Sequence, residues 1–404
     1  MRCREFNALL DGAVRGDGSD DTAALSAACV VAAAAGVPLI IPPAPSGFYQ
    51  ISSSIVAPAP ITIRGAPGAT VIRTSSASAD LCRIGAGVSP AAQFQNGSIS
   101  GVHFVGASQT PAANGQAGLK LLGVTQFRVQ DVQIDGTDIG VDALDNCFGL
   151  QLENLRVGFA NSCNVGVNLR PGPQSGNQTR VESCWISGGD AAFHLWPGYT
   201  GLIVTGGQLS SSGGAGTDGQ GAIRWGMPYP DDGGAHGGIG TVALWGVDFE
   251  GMGAWVLRGF GPINLLVSGC DILANGPTSA IGLLKLESAC ASYVHLGPNT
   301  WGGAFRSPVP VVVTGDYGAS AFSSRGWTNG NGGLSFAGTP VNFDLTADPL
   351  ALSGVPLAPA GLGKYRAEWV SFTGNASITA VDGVWMRGAG GAMQTSIDAG
   401  ATWK

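Results

Sequence analysis

Between residues 99 and 301 one pattern recurs: an apolar residue, two spacers, an apolar or small residue, one spacer, and another apolar residue. Its eight copies are Ile99/Val102/Phe104, Val129/Val132/Ile134, Leu152/Leu155/Val157, Val181/Cys184/Ile186, Val204/Gly207/Leu209, Leu244/Val247/Phe249, Val267/Cys270/Ile272 and Leu296/Asn299/Trp301. Their last members lie 30, 23, 29, 23, 40, 23 and 29 residues apart. That interval is too long for hairpins and suits one turn of a solenoid whose equivalent strands stack in parallel. A second motif falls between successive copies, a small residue followed by apolar, variable, apolar: Gly118-Leu-Lys-Leu121, Gly140-Val-Asp-Ala143, Gly166-Val-Asn-Leu169, Ala192-Phe-His-Leu195, Ala222-Ile-Arg-Trp225 and Ala254-Trp-Val-Leu257. Each turn therefore carries at least two strands. Alternation sends one side of each strand into a stacked core and lines up the variable positions in columns about 4.8 Å apart.

Composition agrees. Gly 66 and Pro 23 in 404 residues punctuate a chain that is 44% hydrophobic and only 12% charged, which excludes a helical bundle, a coiled coil and a solvated disordered tail. A net charge of -7 argues against nucleic acid as a partner. The apolar run 23 to 41 is Ala-rich, broken by Gly36 and Pro38, and preceded by Asp17, Asp20 and Asp21 rather than by basic residues. It is expected to be neither a membrane span nor a signal peptide, but a helix over 23 to 35 capped by Ser19 or Asp20 and ended by Gly36. The eight cysteines show no metal-binding spacing, and recurrence of Cys184 and Cys270 at one inward repeat position predicts free buried thiols. No metal or cofactor is expected.

The segment Gly16-Asp-Gly-Ser-Asp-Asp-Thr-Ala-Ala-Leu25, with Gly36-Val-Pro-Leu-Ile-Ile-Pro-Pro43 and Phe48-Tyr-Gln-Ile51, resembles the N-terminal cap of the right-handed parallel β-helix proteins of the pectate-lyase-like superfamily. The resemblance implies an all-β chain, a right-handed single-stranded parallel β-helix with a short capping helix. It is divided here into a cap over 1–51, the β-helix over 52–315, and a small C-terminal β module over 316–404 for attachment or oligomerisation. Within that module, residues 396–403 resemble an Asp-box, a structural hairpin-turn motif. The polygalacturonase signatures Asn-Thr-Asp, Gly-His-Gly and Arg-Ile-Lys are absent, and the Asp-Asp pairs fall at Asp20-Asp21 in the cap and Asp231-Asp232 in a loop. An ordinary pectinase is not expected. The superfamily includes phage tailspikes. That resemblance implies a homotrimeric spike on the surface of a virion or phage-like particle, made in the bacterial cytoplasm without a signal peptide. Its partners would be host capsule or surface polysaccharide and other particle proteins.

The outward columns carry the candidate chemistry. One reads Lys120, Asp142, Asn168, His194, Arg224, Val256, with Arg170 and Trp196 two residues further along their strands. The other reads His103, Gln133, Arg156, Trp185, Gln208, Asp248, Asp271, with Asp135 and Glu250 in the adjacent column. Hydrogen-bonding groups interleaved with rings suit sugar hydroxyls and the apolar faces of sugars. Trp185, His194, Trp196 and Arg224 are the candidate binding residues, joined by Tyr229, Asp231 and Asp232 from the loops that lengthen the 40-residue interval. Asp248, Glu250 and Asp271 are the candidate catalytic acids. Register puts Asp248 and Asp271 about 5 Å apart, with Glu250 about 7 Å from Asp248, so mutual repulsion should keep one protonated beside an ionised neighbour, as glycoside hydrolysis requires. A cation site, a salt bridge to Arg258 or a subunit contact would use the same acids. Two other function classes stay open: a non-catalytic adhesive or structural spike, including a head spike of a gene transfer agent, and a polysaccharide lyase or epimerase using Lys120, His194 and Arg224.

Overall fold

In the computed structural model the described residues run from 5 to 303, apart from the stretches 86–95, 173–177, 212–219, 231–235, 275–281 and 288–292 and five single positions; beyond 303 only strands are described. Three long sheets dominate, of thirteen, eleven and eleven strands, and neighbours in each are parallel and come from successive turns. Sheet I runs from Phe6–Asn7 to Phe343–Asp344, sheet II from Tyr49–Ile51 to Trp327–Thr328, and sheet III from Ile55–Ala57 to Phe336–Ala337. The chain visits them in the order I, II, III, and repeats. This is a right-handed parallel β-helix with three strands per turn, the hand that twisted strands impose on parallel crossovers.

The first repeat motif is the corner between sheets I and II. Its first residue points inward from sheet I and its last from sheet II. Between them stands a residue in the left-handed region: Gly101, Asp131, Asn154, Ser183, Gly206, Gly246 or Gly269, with φ from 46° to 66°. That backbone turns the chain sharply, and Gly, Asn and Asp tolerate it best. The middle member fills the inside of the corner. Where it is polar its groups are satisfied, as at Asn299, whose Oδ1 accepts from Cys270 N and whose Nδ2 donates to the carbonyls of Val267 and Gly297.

The small residue of the second motif has an equally local reason. A Cβ on Gly118 would sit 2.2 Å from Ile134 Cγ2, on Gly140 2.4 Å from Val157 Cγ1, and on Gly166 2.3 Å from Ile186 Cγ2. The inward side chains of sheet II thus occupy the space beside sheet III. Phe104, Ile134, Val157, Ile186, Leu209, Phe249 and Ile272 stack along the axis with no solvent exposure. Each such burial contributes on the order of 1.5–3 kcal/mol. The six described cysteines, Cys29, Cys82, Cys147, Cys163, Cys184 and Cys270, are buried and free. Cys3 and Cys290 lie outside the described residues.

The helix Thr22–Ala35 ends at Gly36, whose φ of 64° lets its N–H reach the carbonyls of Ala32 and Ala33. Leu25, Ala28, Cys29 and Ala32 form its buried stripe. Asp21 holds the N-cap position, but its carboxylate accepts the N–H groups of Arg15 and Gly16 instead of capping the helix. Asp20 accepts from Thr22 N and from Ser52 Oγ, tying the helix start to the end of the first sheet II strand. At the other end, parallel pairing continues past residue 315 through Ala321–Ser324 and Phe343–Asp344. Beyond it Ala376–Thr379, Trp385–Ala389 and Ala392–Ser396 form an antiparallel sheet.

Candidate functional site

Sheet II presents to solvent the column read from the sequence. His103 pairs with Gln133, Gln133 with Arg156, Arg156 with Trp185, Trp185 with Gln208, Gln208 with Asp248, Asp248 with Asp271, and Asp271 with Thr300. A solvent-open cleft of about 660 Å³ lies along it, lined by Gly158, Phe159, Trp185, Ser187, Gln208, Ser210, Glu250, Gly251 and Leu273. Phe159 is 51% and Trp185 40% exposed, and the rings meet edge to face, with centroids 4.9 Å apart at 75°. Such surface costs free energy in water unless something covers it. Gln208 Nε2 donates to Glu250 Oε2 at 2.5 Å, holding the acid over the cleft wall.

Asp248 faces Asp271 on the next turn. Burial, then Glu250, then Asp271 raise the Asp248 carboxyl above its ordinary range. Its Oδ1 is buried with no hydrogen-bond partner, an arrangement a neutral carboxyl tolerates better than a carboxylate. Asp271 is exposed and accepts from Thr300 Oγ1 at 2.8 Å. A carboxyl with a raised pKa thus stands opposite a second, exposed carboxyl on the next turn, on the sheet whose cleft Glu250 lines.

Sheet III is different. Its column runs Lys120, Asp142, Asn168, His194, Arg224, with Arg258 rather than Val256 next in register. It does not face solvent: His194 is 0% and Arg224 6% exposed, and Asp142 and Asn168 are buried. The expectation of an open binding column here is corrected by the segment after Trp225, which folds back over the sheet. Met227 and Tyr229 are buried, and Tyr229 packs with Ala117, Ile139 and Val165 beside Trp196. Tyr229 Oη donates to Asp138 Oδ1 at 2.8 Å. Beneath it the column is cross-linked. Lys120 lies 3.5 Å from both Asp80 and Asp142, Asn168 Nδ2 donates to Asp142, and Trp196 Nε1 donates to Asn168 Oδ1. Arg170 stacks over the Trp196 ring at 4.5 Å. Burial, reinforced by Arg224, holds His194 well below its ordinary pKa, so it is neutral here.

Of the predicted binding residues, therefore, only Trp185 shares a face with Asp248, Glu250 and Asp271. His194, Trp196, Arg224 and Tyr229 belong to the covered sheet, and Asp231 and Asp232 lie outside the described residues. His236, from the same loop, stacks on Phe260 at 4.1 Å. Phe159 was invisible to repeat analysis because it follows the sheet II strand and belongs to no copy of either motif. Asp138 was missed although a signal exists: Asp80, Gln116, Asp138, Asn164, Asp190 and Gln220 each stand two residues before the first inward residue or small residue of a sheet III strand.

No family model and no curated protein matches the chain by sequence. Solved structures do. The A-module of Azotobacter vinelandii mannuronan C-5 epimerase AlgE4 superposes with a TM-score of 0.53 at 14% identity, covering 92% of this chain and 100% of that one. PfbA, a surface adhesin of Streptococcus pneumoniae, gives 0.52 at 10% identity, covering 97% and 98%. A tailspike of an Acinetobacter phage gives 0.49 at 12% identity, covering 96% and 65%. The chain has the fold of the right-handed parallel β-helix proteins.

Proposed function

We propose that this chain is the polysaccharide-binding shaft of a phage-type spike and that a glycan lies along sheet II. One observation carries the reading: the exposed Phe159–Trp185 pair lines a solvent-open cleft together with Ser187, Gln208, Ser210 and Glu250. Rings take the apolar face of a sugar, and amide, hydroxyl and carboxylate groups take its hydroxyls. A solenoid face repeats these groups along a line, which fits an extended polymer. We further propose a homotrimer on a virion or phage-like particle, the assembly that the cap's resemblance to spike proteins suggests; light scattering that finds only monomers would remove that part.

The same fold serves an epimerase and an adhesin, so the choice between cleavage and adhesion rests on the site. Asp248, with its raised pKa, is the proton donor to the leaving glycosidic oxygen. Asp271 or Glu250 is the partner carboxyl, base or nucleophile. The lyase or epimerase reading would need Lys120, His194 and Arg224 to reach a sugar, but His194 and Arg224 are buried against Tyr229 and Met227, and Lys120 is held between Asp80 and Asp142. The test measures adsorption to host polysaccharide and reducing-end release for wild type, Asp248→Asn and Asp271→Asn. Release lost with adsorption kept supports hydrolysis. Adsorption by wild type with no release supports the adhesive spike, and an increase in unsaturated-uronide absorbance would revive the lyase.

A further inference from the structure

The sheet II face is not electrically uniform, and the unpaired cation beside its aromatic cleft points to the class of glycan it takes. Arg156 pairs with Trp185 on one side and Gln133 on the other, at the point where the aromatic cleft gives way to a hollow of about 180 Å³. The other donors around that hollow are committed. His103 Nε2 and Gln133 Nε2 lie 2.9 and 2.7 Å from Asp135 Oδ2, and Asn154 Nδ2 donates to Asp131 Oδ1. Some arginines elsewhere have carboxylate partners, Arg64 with Glu5, Arg83 with Asp80, Arg128 with Glu153 and Arg258 with Glu287, while Arg15, Arg73 and Arg180 are exposed like Arg156 but none of them lines the cleft or the hollow. Arg156 is exposed and, among the described residues, forms no ion pair and gives no side-chain hydrogen bond. A guanidinium presents a planar fork of donors that matches a carboxylate in two parallel bonds. Here that fork stands beside a stacking ring, in line with the acids.

We propose that Arg156 is a subsite for the carboxylate of an acidic sugar, so that the polymer held on sheet II is an anionic, carboxylate-bearing polysaccharide; this rests on the glycan-binding reading above. The geometry orders the chain along the solenoid axis. One sugar stacks on Trp185, its neighbour places a carboxylate on Arg156, and the linkage at Asp248 lies three strand spacings from Arg156, about 14 Å away. Separation matters, because Asp248, Glu250 and Asp271 would repel a carboxylate beside the scissile bond and Arg156 attracts one several sugars away. The fork, unlike a point charge, also fixes the orientation of the acidic sugar and hence the direction of the chain.

The experiment uses an array of bacterial capsular oligosaccharides, acidic and neutral, with each acidic probe also present in carboxyl-reduced form. Wild type, Arg156→Gln, Arg156→Lys and Trp185→Ala are applied, with thermal melts to establish folding. Expected is preferential capture of carboxylate-bearing probes. Arg156→Gln should weaken these about ten- to hundredfold, as loss of a charge-assisted bidentate contact does, and leave neutral probes unchanged. Arg156→Lys should recover only part of the loss, and carboxyl reduction should cost wild type as much affinity as the Gln substitution. If neutral or reduced probes bind wild type as tightly, or Arg156→Gln holds acidic probes unchanged while Trp185→Ala loses them, the carboxylate subsite is wrong and the glycan cleft stands. If wild type captures no probe, both fail.

Discussion

Replacing Tyr229 by Phe tests whether sheet III is covered by a strap or open for binding. Tyr229 is 8% exposed, and its hydroxyl donates to Asp138 across 91 residues of sequence. In space the strap leaves the turn of Trp225 and returns over three turns of sheet III, about 14 Å. Phe keeps the ring packed on Ala117, Ile139 and Val165 and removes only the O–H donor. Asp138 is not orphaned, because it still accepts from Asn114 N at 2.8 Å, Gly115 N at 2.6 Å and Asn164 Nδ2 at 2.8 Å. The cost should therefore fall at the low end for a bond to a charged acceptor, about 1.5–2 kcal/mol. Because the strap opens locally, this raises its opening constant about ten- to thirtyfold without unfolding the solenoid. Hydrogen exchange should accelerate by that factor in peptides spanning 225–230 and 191–198, which contain the strap and the Trp196 it covers. Glycan adsorption should not change, since the cleft is on sheet II. Unchanged exchange would refute the strap. Adsorption that weakens in step with exchange would refute the assignment of binding to sheet II.

Other outcomes follow from the same contacts. Because the Asp248 pKa is raised in the fold, its charged form destabilises the native state above the folded pKa, and this deficit disappears below the ordinary value of 3.8. Asp248→Asn should accordingly raise Tm at pH 7, and the gain should shrink as pH falls through the carboxylate range. Gly140→Ala would place a Cβ 2.4 Å from Val157 Cγ1 and 2.5 Å from the Gly166 carbonyl, so a loss of about 1–3 kcal/mol in denaturant unfolding is expected; a neutral result would contradict the corner packing. Phe159→Ala combined with Trp185→Ala should abolish adsorption while leaving the melt unchanged, because both rings are substantially exposed. Burial pushes the Cys29, Cys147 and Cys184 thiols up to about 12, so alkylation at pH 8 should require unfolding; rapid labelling of the native chain at these positions would count against the packed core.

The sequence alone determined the solenoid, its turn length and its inward residues, since each turn repeats the same contacts and therefore the same apolar pattern. Register along sheet II was equally legible, and the column from His103 to Asp271 stands as the repeats align it. It was legible because parallel strands of constant turn geometry carry local spacing directly into spatial adjacency. The insertion before Trp255 broke that on sheet III, where Arg258 takes the position the motif assigns to Val256. The number of strands per turn was also hidden: the first motif reads as one unit, although its left-handed residue divides it between two sheets.

What only the tertiary structure decided is which outward face meets solvent. Alternation distinguishes core from non-core, and His194 and Trp185 satisfy it equally. One is enclosed and the other open because the segment carrying Tyr229 lies across sheet III and not across sheet II. That contact joins residues 91 apart through a single hydroxyl and carboxylate, outside the repeat. A pattern repeated every turn records contacts between neighbouring turns; a loop that crosses three turns once leaves no periodic trace.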